Sequence, residues 1–182
     1  MAETATQIEF EGQLVMDKTV GLVGLGIMGG AIARNLVSRG WRVIGFDVDA
    51  ARRAELSRDN VNIADNASQV ARDAPVIMTS LPNPAAVADV ARAIANSGQP
   101  PRIVVELSTL SIADKLIFES ILKSAGHIAL DCPLSGTGAQ ARKRDLVVYA
   151  SGTALRLRVA PDCSPTSPSK APISAGMAMA AA

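Results

Sequence analysis

The chain has 182 residues, enough for one domain with a sizeable core but too few for two full domains. Hydrophobic residues make up 48% and aromatic residues only 3%, so Val, Ile, Leu and Ala must build the core, which suits a parallel sheet covered by helices on both faces. The formal net charge is +1, and no basic stripe is interleaved with aromatic side chains, so we expect neither nucleic acid nor an anionic membrane as a partner.

Residues 1–17 are predicted to form a flexible N-terminal extension, and Met16 is an alternative start. This segment contains acidic side chains and no apolar core, so it does not resemble a signal peptide. No run of 18 apolar residues is present to span a membrane. Cys132 and Cys163 show no metal-ligand spacing, and we expect thiols in a reducing cytoplasm. These observations predict a cytoplasmic protein without a metal site.

The stretch from Thr19 to Asp47 organises the rest of the chain. A short apolar strand, 20–23, ends on Gly24-Leu25-Gly26-Ile27-Met28-Gly29, and a helix is predicted from there to about Arg39. A second apolar strand at 42–46 ends on Asp47, which lies 18 residues after Gly29. Strand, glycines, helix, strand and acid follow one another in the order that a dinucleotide-binding unit requires, whereas isolated glycines would indicate only an ordinary turn.

Each glycine of this motif has a predicted role. Gly24 permits a tight turn between strand and helix, Gly26 lets the backbone approach a pyrophosphate, and Gly29 lets the helix pack closely on the strand. The unpaired N–H groups of the first helical turn, which includes Ile27 and Met28, are expected to point at the phosphate. The cofactor-binding residues predicted here are therefore those of the whole 24–29 turn.

Asp47 is predicted to accept hydrogen bonds from ribose hydroxyls at the end of the second strand. Its negative charge would oppose a 2′-phosphate, and this favours NAD over NADP. Arg52 and Arg53 follow within one to two helical turns. The sequence favours a solvated helix face for both arginines, but either one would soften that repulsion if it turned toward Asp47, so NADP remains the alternative.

The alternation of strands and helices continues along the chain. Further strands are predicted at 61–63, 76–79, 102–106, 127–130 and 146–150, with a loop at 132–139 before the last of them. Helices are predicted to follow Asp49, Asn66, Asn83 and Ser111, each a residue suited to an N-cap. These units predict an α/β fold of the Rossmann type, a doubly wound and mostly parallel sheet over residues 18–151.

Three segments together resemble the β-hydroxyacid dehydrogenase family, which includes 3-hydroxyisobutyrate dehydrogenase and the N-terminal domain of 6-phosphogluconate dehydrogenase. The first is Gly24 to Gly29, with Asn35-Leu36 further along the helix. The second is the pair of loops Leu81-Pro82 and Ser108-Thr109. The third is Asp131-Cys132-Pro133-Leu134-Ser135-Gly136-Thr137-Gly138, which is similar to the substrate loop of that family.

The resemblance implies roles for residues that the glycine motif does not reach. Leu81, Pro82 and Thr109 would lie along the cofactor. Ser135, Gly136 and Thr137 would hold the carboxylate of a small hydroxy acid, although such a run of small residues is also typical of a plain turn. Where relatives have further glycines, this chain has Thr137, Gln140 and Arg144, and the sequence does not identify which acid would fit.

Beyond Ser151 the composition changes to an Ala-, Pro- and Ser-rich tail, 152–182, which we expect to be disordered. The resemblance implies a helix here with a catalytic lysine and an asparagine one turn later, followed by an all-helical second domain. Neither is found in the sequence, and Lys170 lies between Pro168 and Pro172, which exclude a rigid helix. Our hypothesis is a truncated protein whose reading frame is lost near Gly152; a natural short form is the alternative.

The sequence therefore predicts the NAD(P)-binding domain of a hydroxyacid-dehydrogenase-type oxidoreductase with little or no activity. The alternatives are a non-catalytic dinucleotide-binding module and, with less support, a methyltransferase with a similar glycine turn. No catalytic residue is predicted, because His127 and Cys132 lack an orienting partner in the sequence. The expected partners are a nicotinamide dinucleotide and, if the protein is active, a small hydroxy acid; the oligomeric state is left open.

Overall fold

A computed structural model describes residues 8–10, 13–15 and 18–149 of the chain. The first two segments are strands β1 (Ile8–Phe10) and β2 (Gln13–Val15), which pair in an antiparallel hairpin. The hairpin falls within the predicted extension 1–17, whose flexibility stays a prediction. The predicted tail, 152–182, lies outside the described residues.

The remaining elements alternate between strands and helices. The strands are β3 (Thr19–Val23), β4 (Arg42–Phe46), β5 (Asn62–Ile63), β6 (Val76–Thr79), β7 (Ile103–Glu106), β8 (Ile128–Asp131), β9 (Leu134–Ser135) and β10 (Val147–Val148). The helices are α1 (Ile27–Val37), α2 (Ala50–Arg58), α3 (Ala67–Asp73), α4 (Pro84–Ala95), α5 (Ile112–Ser124) and α6 (Gly138–Lys143).

Six strands form one sheet in the order β5-β4-β3-β6-β7-β8, and every neighbouring pair is parallel. This confirms the predicted Rossmann-type fold. The chain leaves the sheet centre at β3, moves to one edge through β4 and β5, and returns to the other side of β3 at β6. The direction reverses between β3 and β6, and ligands of such sheets bind beyond the carboxyl ends of the strands at that reversal.

Alternate residues of the central strands point to opposite faces of the sheet, and helices cover both faces. Leu22 and Val43 pack in a cluster with residues of α1 and α2. Val23 and Ile44 pack in a second cluster with residues of α3, α4 and α5. Aliphatic side chains therefore build the core, as the composition predicted, with Phe118 as its one fully buried aromatic residue in the described part of the chain.

The predicted N-caps are present. The side chains of Asp49, Asn66, Asn83 and Ser111 each accept a hydrogen bond from a backbone N–H in the first turn of the helix that follows. At the Asn66 cap, the Gln69 side chain also accepts a hydrogen bond from the N–H of Asp65, one residue before the cap. Each cap starts its helix just past a strand, which keeps the loops short at the ligand-binding edge.

The prediction of a loop and solvated turn between residues 132 and 144 was partly wrong. Residues 138–143 form α6, which a capping box between Thr137 and Gln140 initiates. Arg144 ends the helix in a left-handed conformation, φ 62°, and its guanidinium donates to the Ser38 hydroxyl. Asn35 on α1 donates to the Ala141 carbonyl at 2.8 Å. A third hydrogen bond runs from Arg144 Nε to Asn35 Oδ1 at 3.4 Å, so three side-chain hydrogen bonds attach α6 to the end of α1.

The predicted strand at 146–150 is found only as β10, and it does not extend the main sheet. β10 pairs antiparallel with β9, which lies in the segment predicted as a loop. The two strands form a separate two-stranded sheet. The substrate-like loop is thus folded back as a hairpin with α6 between its strands.

The turn that joins β3 to α1 requires glycine at two positions. Gly24 has φ +93°, and a Cβ there would overlap the Ser80 carbonyl oxygen. A Cβ on Gly29 would overlap the Gly24 carbonyl oxygen, which is backbone and cannot move aside as a side chain could. The main chain of the turn is thus packed directly against itself and against the start of the loop after β6.

We predict that Gly29→Ala lowers the free energy of unfolding by at least about 3 kcal/mol, because the clash forces a backbone shift in the core. Gly126→Ala is the matched control: it has φ +79° and nothing within 4 Å of a new Cβ. Its free energy of unfolding should fall only by the strain of an alanine in the left-handed region, about 1–2 kcal/mol. Urea denaturation followed by circular dichroism measures both losses, and equal losses would contradict the packing argument.

His127, the single histidine of the chain, is buried just before β8. Its Nδ1 accepts a hydrogen bond from the backbone N–H of Arg102 at 3.1 Å. Burial lowers the pKa of His127, and the nearby Arg102 charge acts in the same direction. The native state therefore favours the neutral ring, which agrees with the structural role expected from the sequence.

We predict that stability decreases as the pH falls below about 6.5, where the unfolded chain binds a proton that the folded ring resists. The free energy of unfolding should continue to decrease until the pH reaches the lowered pKa that His127 has in the folded state. His127→Gln should abolish this slope between pH 7.5 and 5.5, because histidine is the side chain whose reference pKa lies in that interval. Chemical denaturation across that interval is the measurement, and an unchanged slope in the variant would refute the prediction.

Candidate functional site

Asp47 fastens the glycine turn to the end of β4. Its Oδ2 accepts from the backbone N–H of Leu25 at 2.7 Å, and its Oδ1 accepts from the N–H of Asp49 at 2.9 Å. The side chain is 5% exposed. A carboxylate offers about four acceptor positions, and a third, long hydrogen bond from Arg52 to Oδ2 at 3.5 Å leaves one for a ribose hydroxyl. The ribose contact stays a prediction, and sequence reasoning missed the structural task that Asp47 performs.

The N-terminus of α1 fits a phosphate group. Gly26 is the N-cap, no side chain caps the helix, and its first turn contains no acidic residue. A Cβ on Gly26 would meet only the guanidinium of Arg52, at 3.3 Å, so the main chain is otherwise open on that side. The first N–H groups of a helix carry its positive dipole end, and the neighbouring Arg52 adds a full positive charge.

Arg52 and Arg53 differ in what they contact. Arg53 donates to the carbonyl oxygens of Asp47 and Val48, at 2.6 and 3.0 Å. Arg52 is half exposed, and it lies 3.5 Å from one carboxylate oxygen of Asp47 and 3.5 Å from one of Asp49. The structure thus brings Arg52 to the glycine turn, whereas the sequence favoured a solvated helix face for both arginines.

Two clefts border the start of α1. The larger, about 280 Å³, is lined by Met28, Ser80, Leu81, Pro82, Leu107, Ser108, Thr109, Leu110, Leu134 and Gly136. The smaller, about 240 Å³, is lined by Leu25, Gly26, Ile27, Ala31, Arg34, Arg52, Glu55, Leu56 and Arg142. The loops after β3, β6, β7 and β8 meet in the larger cleft, at the carboxyl edge of the sheet.

The larger cleft unites five of the predicted site residues. Met28, Leu81, Pro82 and Thr109 were predicted to contact cofactor, and Gly136 was predicted to contact substrate. The remaining cofactor candidates lie in the turn itself or at the end of β4. Ser135 and Thr137 flank Gly136 and are exposed, but they do not line the cleft.

Thr137 is already engaged in the cap of α6. Its N–H donates to Gln140 Oε1 at 2.9 Å, and its hydroxyl accepts from the Gln140 N–H at 3.3 Å. Ser135 belongs to β9, opposite Val147. A carboxylate at this loop would compete with the cap for the Thr137 donors, so the substrate roles of the three residues stay predictions.

None of the ten residues that line the larger cleft carries an ionisable side chain. Its side-chain donors and acceptors are the hydroxyls of Ser80, Ser108 and Thr109. A hydroxyl without an activating base is a poor proton donor or acceptor near neutral pH. Within residues 18–149, the cleft can therefore position a ligand, but its lining offers no general acid or base.

Sequence reasoning missed an ionic cluster behind this cleft. Lys115 on α5 contacts Glu106 and Asp131, the last residues of β7 and β8. The signal was present in the sequence, because acids ended two successive predicted strands and a lysine followed in the intervening helix. Parallel neighbours bring such strand ends together.

Cys132 is buried at the head of the substrate-like loop, and Cys163 lies outside the described residues. Within residues 18–149, no group of three His, Cys, Asp or Glu side chains is arranged to hold a metal ion. No helix in that range is both long and apolar enough to cross a bilayer.

Comparisons with known proteins agree with this geometry. Over 139 residues the chain is 34% identical to a probable mitochondrial 3-hydroxyisobutyrate dehydrogenase of Dictyostelium discoideum, covering 75% of this chain and 43% of that protein. It is 32% identical over 140 residues to 3-sulfolactaldehyde reductase of Escherichia coli K12, covering 74% and 46%. The solved Mycobacterium tuberculosis 3-hydroxyisobutyrate dehydrogenase with L-serine superposes with a TM-score of 0.77 at 27% identity, covering 81% and 50%.

The chain thus spans about half the length of the relatives that it matches. Residues 19–161 match the family described as the NAD binding domain of 6-phosphogluconate dehydrogenase. That range contains the glycine turn, the pair of loops Leu81-Pro82 and Ser108-Thr109, and the substrate-like loop. The chain therefore belongs to the β-hydroxyacid dehydrogenase family and contains its NAD-binding domain.

Proposed function

We propose that this chain binds a nicotinamide dinucleotide as the cofactor-binding part of an oxidoreductase that acts on small hydroxy acids. The observation that supports this most is the uncapped N-terminus of α1 at the reversal point of the sheet, with Gly26 open beside it. An anion is the natural ligand of such a terminus. The bound cofactor would supply or accept the hydride.

The described residues divide the binding of the cofactor between the two clefts. The N–H groups of the first turn of α1 and the Arg52 guanidinium would hold the pyrophosphate at Gly26. Asp47 would accept from a ribose hydroxyl while it continues to hold the turn. Leu81, Pro82 and Thr109 would line the path of the cofactor in the larger cleft.

The substrate class follows from the loop after β8 and from the relatives. Gly136 lines the larger cleft and is flanked in sequence by the hydroxyl groups of Ser135 and Thr137, and hydroxyl and backbone N–H donors suit a carboxylate. The similar M. tuberculosis enzyme was solved with L-serine, a small acid that carries a hydroxyl group on its β-carbon. We expect a short hydroxy acid, or its semialdehyde, as the substrate.

Proton transfer is the step that the described residues do not provide. Oxidation of an alcohol by hydride loss also requires removal of the hydroxyl proton, and no residue lining the larger cleft is ionisable. A positioned general acid or base typically contributes about 10²–10⁴-fold to the rate. The 182-residue chain by itself should therefore bind cofactor and turn over little substrate.

A non-catalytic dinucleotide-binding module is the second candidate, and the same non-ionisable cleft favours it. Both candidates predict cofactor binding at Gly26. They differ in whether hydroxy acids are substrates when a proton-transfer group is supplied from outside residues 18–149. Both predict little turnover by the 182-residue chain, so the distinguishing measurement is whether a hydroxy acid alters the affinity for NADH: the oxidoreductase part should bind both ligands, and the module only the cofactor.

We predict that Gly26→Ala folds normally but binds NADH at least about 10-fold more weakly, because its Cβ fills the space that the pyrophosphate needs. Gly26 has ordinary extended backbone angles, and the new Cβ would meet only a flexible guanidinium. Gly98→Ala, in open space away from both clefts, is the control. NADH fluorescence titration measures the affinities.

Two results would contradict the binding proposal: no saturable NADH binding by the wild-type chain, or equal affinity in Gly26→Ala. A hydroxy acid panel assayed on the same samples tests the catalytic part. Robust turnover by the 182-residue chain would show that a proton-transfer group is present after all.

Two opposite charges bear on the choice between NAD and NADP: the carboxylate of Asp47 and the guanidinium of Arg52. The buried carboxylate opposes a 2′-phosphate, while the guanidinium 3.5 Å from it reduces that opposition. We propose NAD as the preferred cofactor, with NADP binding more weakly.

We predict that NADH binds more tightly than NADPH and that Arg52→Gln widens the difference, because it removes the charge that offsets Asp47. Arg58→Gln, an exposed arginine at the end of the same helix, controls for net charge. Parallel titrations with the two reduced cofactors give the ratio of dissociation constants. A wild-type chain that prefers NADPH would contradict this assignment.

A further inference from the structure

The ionic cluster at the ends of β7 and β8 is centred on Lys115. Glu106 and Asp131 are register partners on these parallel strands. The Lys115 ammonium pairs with Glu106 Oε2 and with Asp131 Oδ1, at 2.6 Å in the second case. The Glu106 side chain is fully buried, and that of Lys115 is 11% exposed. One cation thus neutralises a buried carboxylate and reaches a second one on the neighbouring strand.

The same ammonium continues into the loops that border the larger cleft. Lys115 Nζ donates to the Ser108 carbonyl oxygen at 2.7 Å, and Glu106 Oε1 accepts from the Ser108 N–H at 2.9 Å. The Ser108 hydroxyl in turn accepts from the N–H of Leu81 at 2.9 Å. Leu81 and Ser108 both line the larger cleft. The network therefore connects the loop after β6, the loop after β7 and the start of the loop after β8.

Lys115 itself lines neither cleft, so direct contact with ligand is not its role. A buried ion pair often adds little net stability compared with apolar side chains of the same shape. Such a pair can fix geometry, and here the Lys115 ammonium has three partners and each Glu106 carboxylate oxygen has one. Here the partners belong to the three loops that carry the predicted cofactor and substrate contacts.

We propose that Lys115 is a positioning residue that fixes the cofactor loops at Leu81 and Ser108 relative to the substrate loop that begins after Asp131. Without the ammonium, Glu106 is left as an uncompensated buried charge, the Ser108 carbonyl loses a donor, and Asp131 loses its ion pair with Lys115. The cofactor part of this inference rests on the proposed function. The loop-fixing part does not, because it concerns the protein without ligand.

The test is hydrogen–deuterium exchange of the backbone amides, measured without cofactor, together with NADH affinity. The main variant is the double substitution Lys115→Met with Glu106→Gln, which removes both buried charges and so avoids the unpaired carboxylate that would threaten folding. Lys123→Met, an exposed lysine on the same helix, is the control. Asp131→Asn is the second variant, because it keeps the pair between Lys115 and Glu106.

The double variant should exchange at least about 10-fold faster at Leu81, Ser108 and Cys132, with unchanged exchange in the strands β3 and β4. Asp131→Asn should accelerate exchange in residues 132–137 and leave Leu81 unchanged. NADH affinity should fall at least about 10-fold in the double variant, while Lys123→Met behaves as wild type in both measurements.

Unchanged loop exchange in both variants would overturn the proposal, as would faster exchange spread evenly over the whole sheet, which indicates a purely stabilising role. If the double variant does not fold, Asp131→Asn alone tests the proposal. Faster exchange confined to residues 132–137 supports the proposal, and unchanged exchange there or faster exchange throughout the sheet contradicts it. Failure of wild-type chain to bind NADH would refute the proposed function and leave the exchange result as an independent test of Lys115.

Discussion

The close approach of Gly29 to the Gly24 carbonyl oxygen is the constraint on which the rest of the site depends. Because neither position accepts a Cβ, the chain passes from β3 into α1 with its main chain packed on itself. This brings the first turn of α1 to the carboxyl edge of the sheet, where the strand order reverses between β3 and β6. Asp47 then ties the turn to β4 through the N–H of Leu25. An open helix N-terminus at the reversal point follows from these few contacts.

Charge is distributed around this turn in a way that suits a dinucleotide. The helix terminus and Arg52 provide positive potential at Gly26, while the Asp47 carboxylate lies buried at the end of β4. The larger cleft, by contrast, contains only hydroxyl and main-chain polar groups among its lining residues. Binding and proton transfer are thus separated: the first is built into residues 18–149, and the second requires a group that the cleft lining lacks.

Much of this arrangement could be predicted from the sequence. The spans of β4 and β6 and the caps at Asp49, Asn83 and Ser111 were foreseen, because apolar runs and capping residues are local signals. The glycine turn and its partner Asp47 were foreseen because their spacing is fixed by a single βαβ unit. The fold class followed from the regular alternation of these units and is confirmed by the parallel sheet.

The rest depends on contacts between residues far apart in the chain. Helix α6 was missed because its start is set by the Thr137–Gln140 box and its attachment by Asn35, 106 residues before Ala141. β10 pairs with β9 and not with the main sheet, a choice that apolar periodicity cannot encode. Lys115 pairs with acids at two strand ends that the sequence shows, but the pairing itself depends on the register of β7 and β8 in the folded sheet. Arg52 was assigned to solvent for the same reason.

The central claim is that the N-terminus of α1 receives the pyrophosphate of a nicotinamide dinucleotide. Amide chemical shifts of the ¹⁵N-labelled chain, followed by NMR during titration with NADH, test it most directly. We expect saturable amide shift changes concentrated at Gly26, Ile27, Met28 and Gly29, with smaller changes at Leu81 and Thr109. Saturable shifts that leave residues 26–29 unmoved, or no shifts at all, would contradict it.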